Sequence, residues 1–335
     1  MTTHASCVVV DRSQVGAARQ EATRAAAGLG FDETDAHRVG LVATELASNL
    51  VKHTRGVGGA LLIRSGKGAV PEVELIAIDR GPGMRDVVQS LVDGHSTTGS
   101  PGTGLGAVTR LADDFDVFSQ PNAGTAVLAR LRRGREAPVP PSRFQIGGVS
   151  VAQAGETACG DAWAVTVDST ALSVIVVDGL GHGVLAETAA RAATGAATAR
   201  SYATPLAALM AMHGGAAHTR GAAALVATVD LRSTRVTVAG VGNVAASIVS
   251  VDTVRRAASQ SGILGHEVRQ FREYHYPWHD GALLIVHSDG LVSHWSLDRY
   301  PGLPRRDAAL VAAVLYRDFQ RGRDDVTVVA ARQVA

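Results

Sequence analysis

Apolar positions along the first 133 residues repeat with two different periods, and each period marks a different element. A helical period runs through 13–29. It returns on the stripe Val39, Val42, Leu46 and Leu50, where Thr34 or Asp35 is placed to cap a second helix. Short apolar runs at 8–10, 60–63 and 73–78 read as strands. A loop over 84–101 leads into a helix at 107–113, and 115–119 with 125–131 form a hairpin around Pro121-Asn122-Ala123-Gly124. Strands with helices on one face predict a two-layer α/β sandwich. Proline and charge then replace periodicity over 134–143, where Pro138, Pro140 and Pro141 suit a semi-extended linker.

Beyond the linker, strands are expected at 145–151, 162–167, 173–177, 224–230, 235–239, 245–249, 283–287 and 326–330. Two helices, 184–200 and 205–213, separate the third strand from the fourth, and another spans 306–319. Antiparallel runs interrupted by a helix pair predict two packed sheets flanked by helices. The expected class is therefore α+β, with domains at 1–133 and 144–335.

Composition narrows the function. A chain of 335 residues holds two domains, each able to bury a core. Hydrophobic residues at 46% against 19% charged exclude a disordered chain. The net charge of +1 gives no basic stripe, and 4% aromatic residues give no stacking platform, so no nucleic-acid partner is expected. No run reaches the roughly 18 apolar residues of a spanning helix, and 1–10 lacks the pattern of a signal peptide. No membrane association is expected. Cys7 and Cys159 form neither a disulfide framework nor a zinc pattern, which fits a reducing, cytoplasmic setting.

Candidate chemistry begins with Glu45 and Asn49, which share one helix face at a spacing of four. A carboxylate there orients or deprotonates an attacking hydroxyl, and an amide oxygen suits a magnesium ion bridging phosphates. Asp79 ends an apolar strand, where its acceptor suits the exocyclic amine of adenine, and Gly81 and Gly83 let the backbone turn beneath the base. Gly102, Gly104 and Gly106 precede a helix whose N-terminal amides favour phosphate oxygens. The stretch 84–101 is the expected lid over the nucleotide.

Thr44-Glu45-Leu46-Ala47-Ser48-Asn49, Asp79-Arg80-Gly81-Pro82-Gly83-Met84 and Gly102-Thr103-Gly104-Leu105-Gly106 resemble the three nucleotide-binding boxes of the GHKL ATPase superfamily. With Lys52-His53-Thr54, the compact first half is most similar to bacterial anti-sigma-factor and stressosome switch serine kinases. The resemblance implies a Bergerat-type ATPase fold that uses ATP and Mg²⁺ to phosphorylate a serine or threonine on STAS-domain proteins. It implies Glu45 as catalytic base, Asn49 as magnesium ligand and Asp79 as adenine contact.

The second half offers carboxylates beside strands: Asp161, Asp178, Asp289 and Asp324 each lie at the edge of an apolar run. Phosphoester hydrolysis needs charge relief on the phosphoryl oxygens and an activated water, which two hard divalent cations about 3.5–4 Å apart supply. Mg²⁺ or Mn²⁺ prefer oxygen donors, and a carboxylate cluster without cations would repel itself. Any single Asp-Gly here also reads as an ordinary turn.

Cys159-Gly160-Asp161-Ala162-Trp163, Val177-Asp178-Gly179-Leu180-Gly181-His182-Gly183, His287-Ser288-Asp289-Gly290 and Arg323-Asp324-Asp325-Val326-Thr327 look like SpoIIE-type serine phosphatases of the metal-dependent type-2C (PPM) class. That resemblance implies an α-β-β-α sandwich in which Asp178 bridges both metals and is central to catalysis. The Gly179 carbonyl would bind one metal, with Asp289 and Asp324 on the other. Asp161 would act directly or through water, and Asp325 is a weaker candidate. Gly240-Val241-Gly242-Asn243 is similar to a family loop near the site, and Cys159 stands where the family often has glycine. His182 either donates to phosphate or begins the helix that follows.

Together these resemblances imply one chain that writes and erases a phosphate on a STAS-domain anti-sigma-factor antagonist or stressosome scaffold. The alternative is a first half that binds its partner in an ATP-dependent way without phosphorylating it.

Overall fold

The computed structural model describes residues 3–68, 70–91, 104–134, 142–251 and 253–334. The chain divides into two compact units. One comprises His4–Pro141 with Leu297–Arg306, and the other Ser142–Ser296 with Asp307–Ala335 and Met1–Thr3.

In the first unit, β1 (Ala5–Val9), β2 (Gly59–Lys67), β3 (Pro71–Asp79), β4 (Asp114–Ser119) and β5 (Thr125–Arg132) form an antiparallel sheet in the order β1-β2-β3-β5-β4. Helices α1 (Arg12–Gly28) and α2 (Glu33–His53) cover one face. Their alanines and valines (Ala18, Ala22, Val39, Val42, Ala43, Leu46) pack on Leu61, Val73, Leu75 and Ala77. The side chains on α1 are short, which allows a close approach to α2.

Three details depart from the sequence reading. Helix α2 starts earlier than expected, because Asp32 is its cap and accepts from the Asp35 amide at 2.7 Å. The expected loop 84–101 contains a short helix, α3 (Val87–Leu91), and α4 begins at Leu105, running Leu105–Leu111. Third, Leu297–Arg306 from the C-terminal sequence belongs to this unit: Tyr300 meets Phe118 edge-on at 6.3 Å, and Arg306 pairs with Asp116 at 3.2 Å.

The face of β3 turned away from α1 and α2 holds a buried charge. Glu74 lies directly between Arg64 on β2 and Arg130 on β5, at 2.7 and 2.8 Å. Burial alone would raise the pKa of Glu74; the two guanidiniums outweigh it and hold the carboxyl well below its ordinary value.

The second unit contains β6 (Phe144–Val151), β7 (Asp161–Val167), β8 (Ala171–Gly179), α5 (Val184–Thr198), α6 (Pro205–Gly215), β9 (Ala222–Asp230), β10 (Arg235–Val241) and β11 (Ala245–Val249). It continues through β12 (Val254–Arg256), β13 (Glu273–Pro277), β14 (Leu283–His287), α7 (Ala308–Phe319) and β15 (Val326–Gln333). Two antiparallel sheets result, β13-β10-β9-β8-β7 and β12-β11-β14-β15-β6.

Their inner faces interdigitate through Trp163, Leu172, Val174, Val176 and Leu225 on one side and Ile248, Leu284, Val286 and Val329 on the other. Outside the first sheet, Ile175, Val177 and Val226 receive Ala190, Ala193, Leu209 and Met212 of α5 and α6. Helix α7 packs on β6 and β15, completing an α-β-β-α sandwich.

Strands β12 and β13, which the sequence reading did not include, are both edge strands. Val254-Arg255-Arg256 is three exposed residues, and Glu273-Tyr274-His275-Tyr276-Pro277 alternates only through its two tyrosines, with no Val, Ile or Leu to mark it.

Candidate functional site

Strand polarity explains how distant aspartates meet in the second unit. Asp161 opens β7 and Asp178 lies at the end of β8, and the antiparallel register sets them directly opposite each other. Asp289 follows β14 and Asp324 precedes β15, again antiparallel neighbours, with His287 opposite Val328. Each sheet therefore presents two carboxylates at one end.

The electrostatics confirm the convergence. Burial raises the Asp178 pKa, and Asp161, Asp289 and Asp324 raise it further; its carboxyl also shares a hydrogen bond with Asp289. Asp161 is likewise raised by burial, partly relieved by a hydrogen bond from Ser288, with Asp325 and Asp324 pushing it up again. Asp324 is raised by burial and then by Asp289. Four carboxylates from four strand ends thus act on one another.

Neighbouring groups hold this cluster in place. Ser288 Oγ donates to Asp161 at 2.6 Å and itself accepts from the Thr327 amide at 2.9 Å. Asn243 Nδ2 donates to Asp289 at 2.6 Å. Asp325, the weaker metal candidate, instead accepts from the Gln153 and Gly160 amides, both at 2.8 Å, and so staples the loop that carries Asp161. Gly179 is required by close approach, since a Cβ there would lie 2.2 Å from the Ala186 carbonyl oxygen. His182 Nδ1 pairs with Glu156 at 2.7 Å, and its charge acts on Asp324.

An all-oxygen donor set whose members hold each other's protons fits hard divalent cations. Among the described residues, no three side chains stand in a preformed ligand shell, so binding requires carboxylates to release protons and turn inward. Asp178, the Gly179 carbonyl, Asp289, Asp324 and Asp161 are the groups available to hold Mg²⁺ or Mn²⁺. When bound, such ions supply charge relief on phosphoryl oxygens and a more acidic water.

A pH dependence follows. A folded-state pKa raised above the unfolded one means that the folded protein holds extra protons, so stability falls as pH rises above the ordinary aspartate value. Without metal, the second unit is expected to melt at a lower temperature at pH 8 than at pH 5.5. Added Mn²⁺ should stabilise it more at the higher pH. Tryptophan fluorescence isolates this transition, because Trp163, Trp278 and Trp295 all lie in this unit. A metal-free melting temperature that rises over the same range would refute the burial of mutually repelling carboxylates.

In the first unit, Glu45 and Asn49 are half-buried on α2, and α4 packs against that helix. Asp79 ends β3 and accepts from the Gly81 amide at 2.7 Å, and its charge acts on His53, one turn after Asn49. Burial and Lys52 lower the His53 pKa, and Asp79 opposes them. Gly83 adopts φ +67°, and a Cβ there would lie 2.1 Å from the Gln120 carbonyl oxygen. Gly104 is the N-cap of α4 and Gly106 is buried within it; Gly102 lies outside the described residues. Asp79 and its turn thus sit near the C-terminal part of α2 that carries Asn49, with α4 beside the same helix.

Comparison with known proteins follows the same division. Residues 8–131 match the model of the histidine kinase-like ATPase domain, and residues 168–334 match that of stage II sporulation protein E. Serine/threonine-protein kinase RsbT of Bacillus subtilis (strain 168) is 34% identical over 125 residues, which is 37% of this chain and 93% of RsbT. The first half belongs to the RsbT-like ATPase family. The second half is a SpoIIE-type phosphatase domain.

Among solved structures, one from work on the bacterial stressosome as a modular system adapted to control secondary messenger signaling is 29% identical. It covers 57% of this chain and 100% of its own, with a TM-score of 0.54. RsbX in complex with magnesium is 21% identical, covers 58% of this chain and 98% of its own, and has a TM-score of 0.52, a likeness of fold. The expected GHKL-type and PPM-type architectures are both found, in the expected order.

The residues that sequence reasoning missed are Ser288, Thr327 and the role of Asn243. Ser288 and Thr327 stand inside the quoted phosphatase motifs, but their side chains carry no metal signal. Only the tertiary pairing of β14 with β15 aims Ser288 at Asp161.

Proposed function

We propose that this chain resets a phosphorylation switch on a STAS-domain regulator, either an anti-sigma-factor antagonist or a stressosome scaffold. The SpoIIE-type half removes phosphate from a serine or threonine of that partner. The RsbT-like half binds ATP with Mg²⁺ and performs the opposing transfer. The observation that carries the reading is the convergence of Asp161, Asp178, Asp289 and Asp324, joined in one chain to an RsbT-like domain. The name RsbT, a serine/threonine kinase, and the likeness to a stressosome structure support the choice of partner class. Among the described residues no helix is long and apolar enough to cross a membrane.

In the phosphatase half, Asp178, the Gly179 carbonyl, Asp289 and Asp324 would hold the cations, with Asp161 acting directly or through water; Asn243 orients Asp289 and Ser288 fixes Asp161. The phosphoester is oriented so that water reaches phosphorus opposite the seryl oxygen. The phosphorus–oxygen bond to the protein breaks, giving inorganic phosphate and a free hydroxyl. In the kinase half, Glu45 would take the proton of the acceptor hydroxyl, Asn49 would be a ligand for Mg²⁺, which would supply charge relief on the phosphates, and Asp79 would accept from adenine.

The transfer reaction is tested with labelled ATP and a purified STAS-domain protein. Wild-type chain is expected to label the partner, and Glu45→Ala to lower the rate at least about 100-fold, the contribution of a general base. Partner that co-purifies with wild type but never acquires label would instead show the first half to be an ATP-dependent binding module.

A further inference from the structure

The carboxylate cluster accounts for cation binding and, through the cations, for charge relief on phosphoryl oxygens, but it offers no protein group that itself pairs with the phosphoryl anion. A phosphomonoester carries close to two negative charges at neutral pH, and a guanidinium can pair with its non-bridging oxygens in addition to any metal. We infer that Arg220 is that donor: a side chain that clamps the phosphoryl group of the incoming phosphoserine or phosphothreonine. This deepens the phosphatase reading and rests on it.

Three observations carry the assignment. First, the Arg220 Nη1 stands 3.0 Å from where a Cβ on Gly181 would lie, so the guanidinium rests on the loop that follows Gly179. That loop touches the aspartate cluster, because the Gly181 carbonyl oxygen lies 3.3 Å from the Cβ position of Gly160, next to Asp161. Second, Arg220 is exposed and makes no ion pair or hydrogen bond among the described residues, although carboxylates crowd the neighbouring site. An exposed guanidinium that rests on the loop following Gly179 and pairs with no described carboxylate is available to an anion from solvent.

Third, its backbone is tightly fixed. The Leu180 amide donates to the Gly221 carbonyl at 3.0 Å, tying the corner to the Gly179 loop. The Gly221 amide donates to Thr219 Oγ1 at 3.1 Å, and the Thr219 amide to the Ala216 carbonyl at 3.0 Å. Ala222 and Leu264 exchange two backbone hydrogen bonds at 3.1 and 2.8 Å. His266 Nε2 sits 3.2 Å from the Thr219 carbonyl oxygen. A fixed backbone corner sets where the guanidinium starts from, and its planar fork matches two phosphoryl oxygens.

The sequence hid this residue. Arg220 lies in no motif, 42 positions after Asp178, in the turn that leads into β9. It reaches the site because β9 pairs with β8 and returns to the same end of the sheet.

The test uses the full chain loaded with Mn²⁺ and a phosphoserine peptide. Arg220→Ala is expected to raise KM, and the inhibition constant of inorganic phosphate, by about 10–100-fold, as loss of a charge-assisted contact requires. Arg220→Lys should recover part of that loss. Mn²⁺ affinity and melting temperature should stay at wild-type values, which separates a clamp from a structural role. KM and phosphate inhibition that remain within twofold of wild type would overturn the assignment. If wild type hydrolyses no phosphoester at all, the phosphatase reading fails on its own. Calorimetric binding of inorganic phosphate to wild type and Arg220→Ala then decides Arg220: tighter binding by wild type sustains the clamp, and equal binding refutes it.

Discussion

Asp178→Asn is expected to remove Mn²⁺-dependent hydrolysis of a phosphoserine peptide while leaving the metal-free second unit at least as stable as wild type. The two effects share one cause. Asp178 is placed where burial and three other carboxylates disfavour its charge, an arrangement that bound cations would relieve. An amide cannot neutralise a divalent ion, so activity should fall more than about 100-fold, beyond the range seen for partners that merely orient ligands. The same amide is neutral without a proton, whereas Asp178, pushed up to about 9, must take one up on folding at pH 8. In chelator at pH 8, the fluorescence-monitored melting temperature should therefore rise, by about 2–4 °C for each kcal/mol relieved. Activity retained by Asp178→Asn would remove Asp178 from the metal set. A fall in metal-free stability would show that its charge is held by something other than cations.

Glu74→Ala is expected to destabilise the first unit by about 3–5 kcal/mol, the range for breaking a buried ion pair by removing one partner. Arg64 and Arg130 would then lose the carboxylate directly between them, keeping the longer contact of Arg64 with Glu72 at 3.8 Å and the field of Glu72 on Arg130. The sign of the pH effect follows from the lowered Glu74 pKa. Its stabilisation is fully present above the ordinary glutamate value and is lost as pH falls through the depressed folded-state value. Glu74→Gln should remove that acid-dependent part while keeping the side chain's shape. Circular dichroism melts of the full chain, with the fluorescence transition of the second unit as internal reference, measure both. A Glu74→Ala protein as stable as wild type would mean that the cluster contributes nothing net to the fold.

These two sites show opposite uses of buried carboxylate. Glu74 is compensated within the fold, so its pKa goes down and its role is structural. Asp178 is surrounded by its own kind, so its pKa goes up and it is compensated by a proton, or by a cation that displaces that proton. Neither sign is readable from residue type.

Much of the architecture was legible because each unit's core is built from strongly periodic segments. The stripe on α2 and the inward faces of β8, β9 and β14 hold apolar residues at the spacing of the element itself. The nucleotide and metal motifs were legible for another reason: glycine and aspartate at strand ends have few structural substitutes. Edge strands β12 and β13, the Asp32 cap and the short helix α3 were not, since little of their surface is buried or their signals compete with near neighbours.

By itself, then, the sequence determined two domains in order, their layer types and the four aspartates to examine, because local period and backbone chemistry are properties of neighbouring residues. The tertiary structure alone decided that Asp161 faces Asp178, that Asn243 holds Asp289, that Asp325 staples a loop, and that Arg220 reaches the Gly179 loop. It also decided that Leu297–Arg306 folds with the first unit. Those facts depend on strand register and on which sheet ends meet, and registers are set by packing across the whole unit.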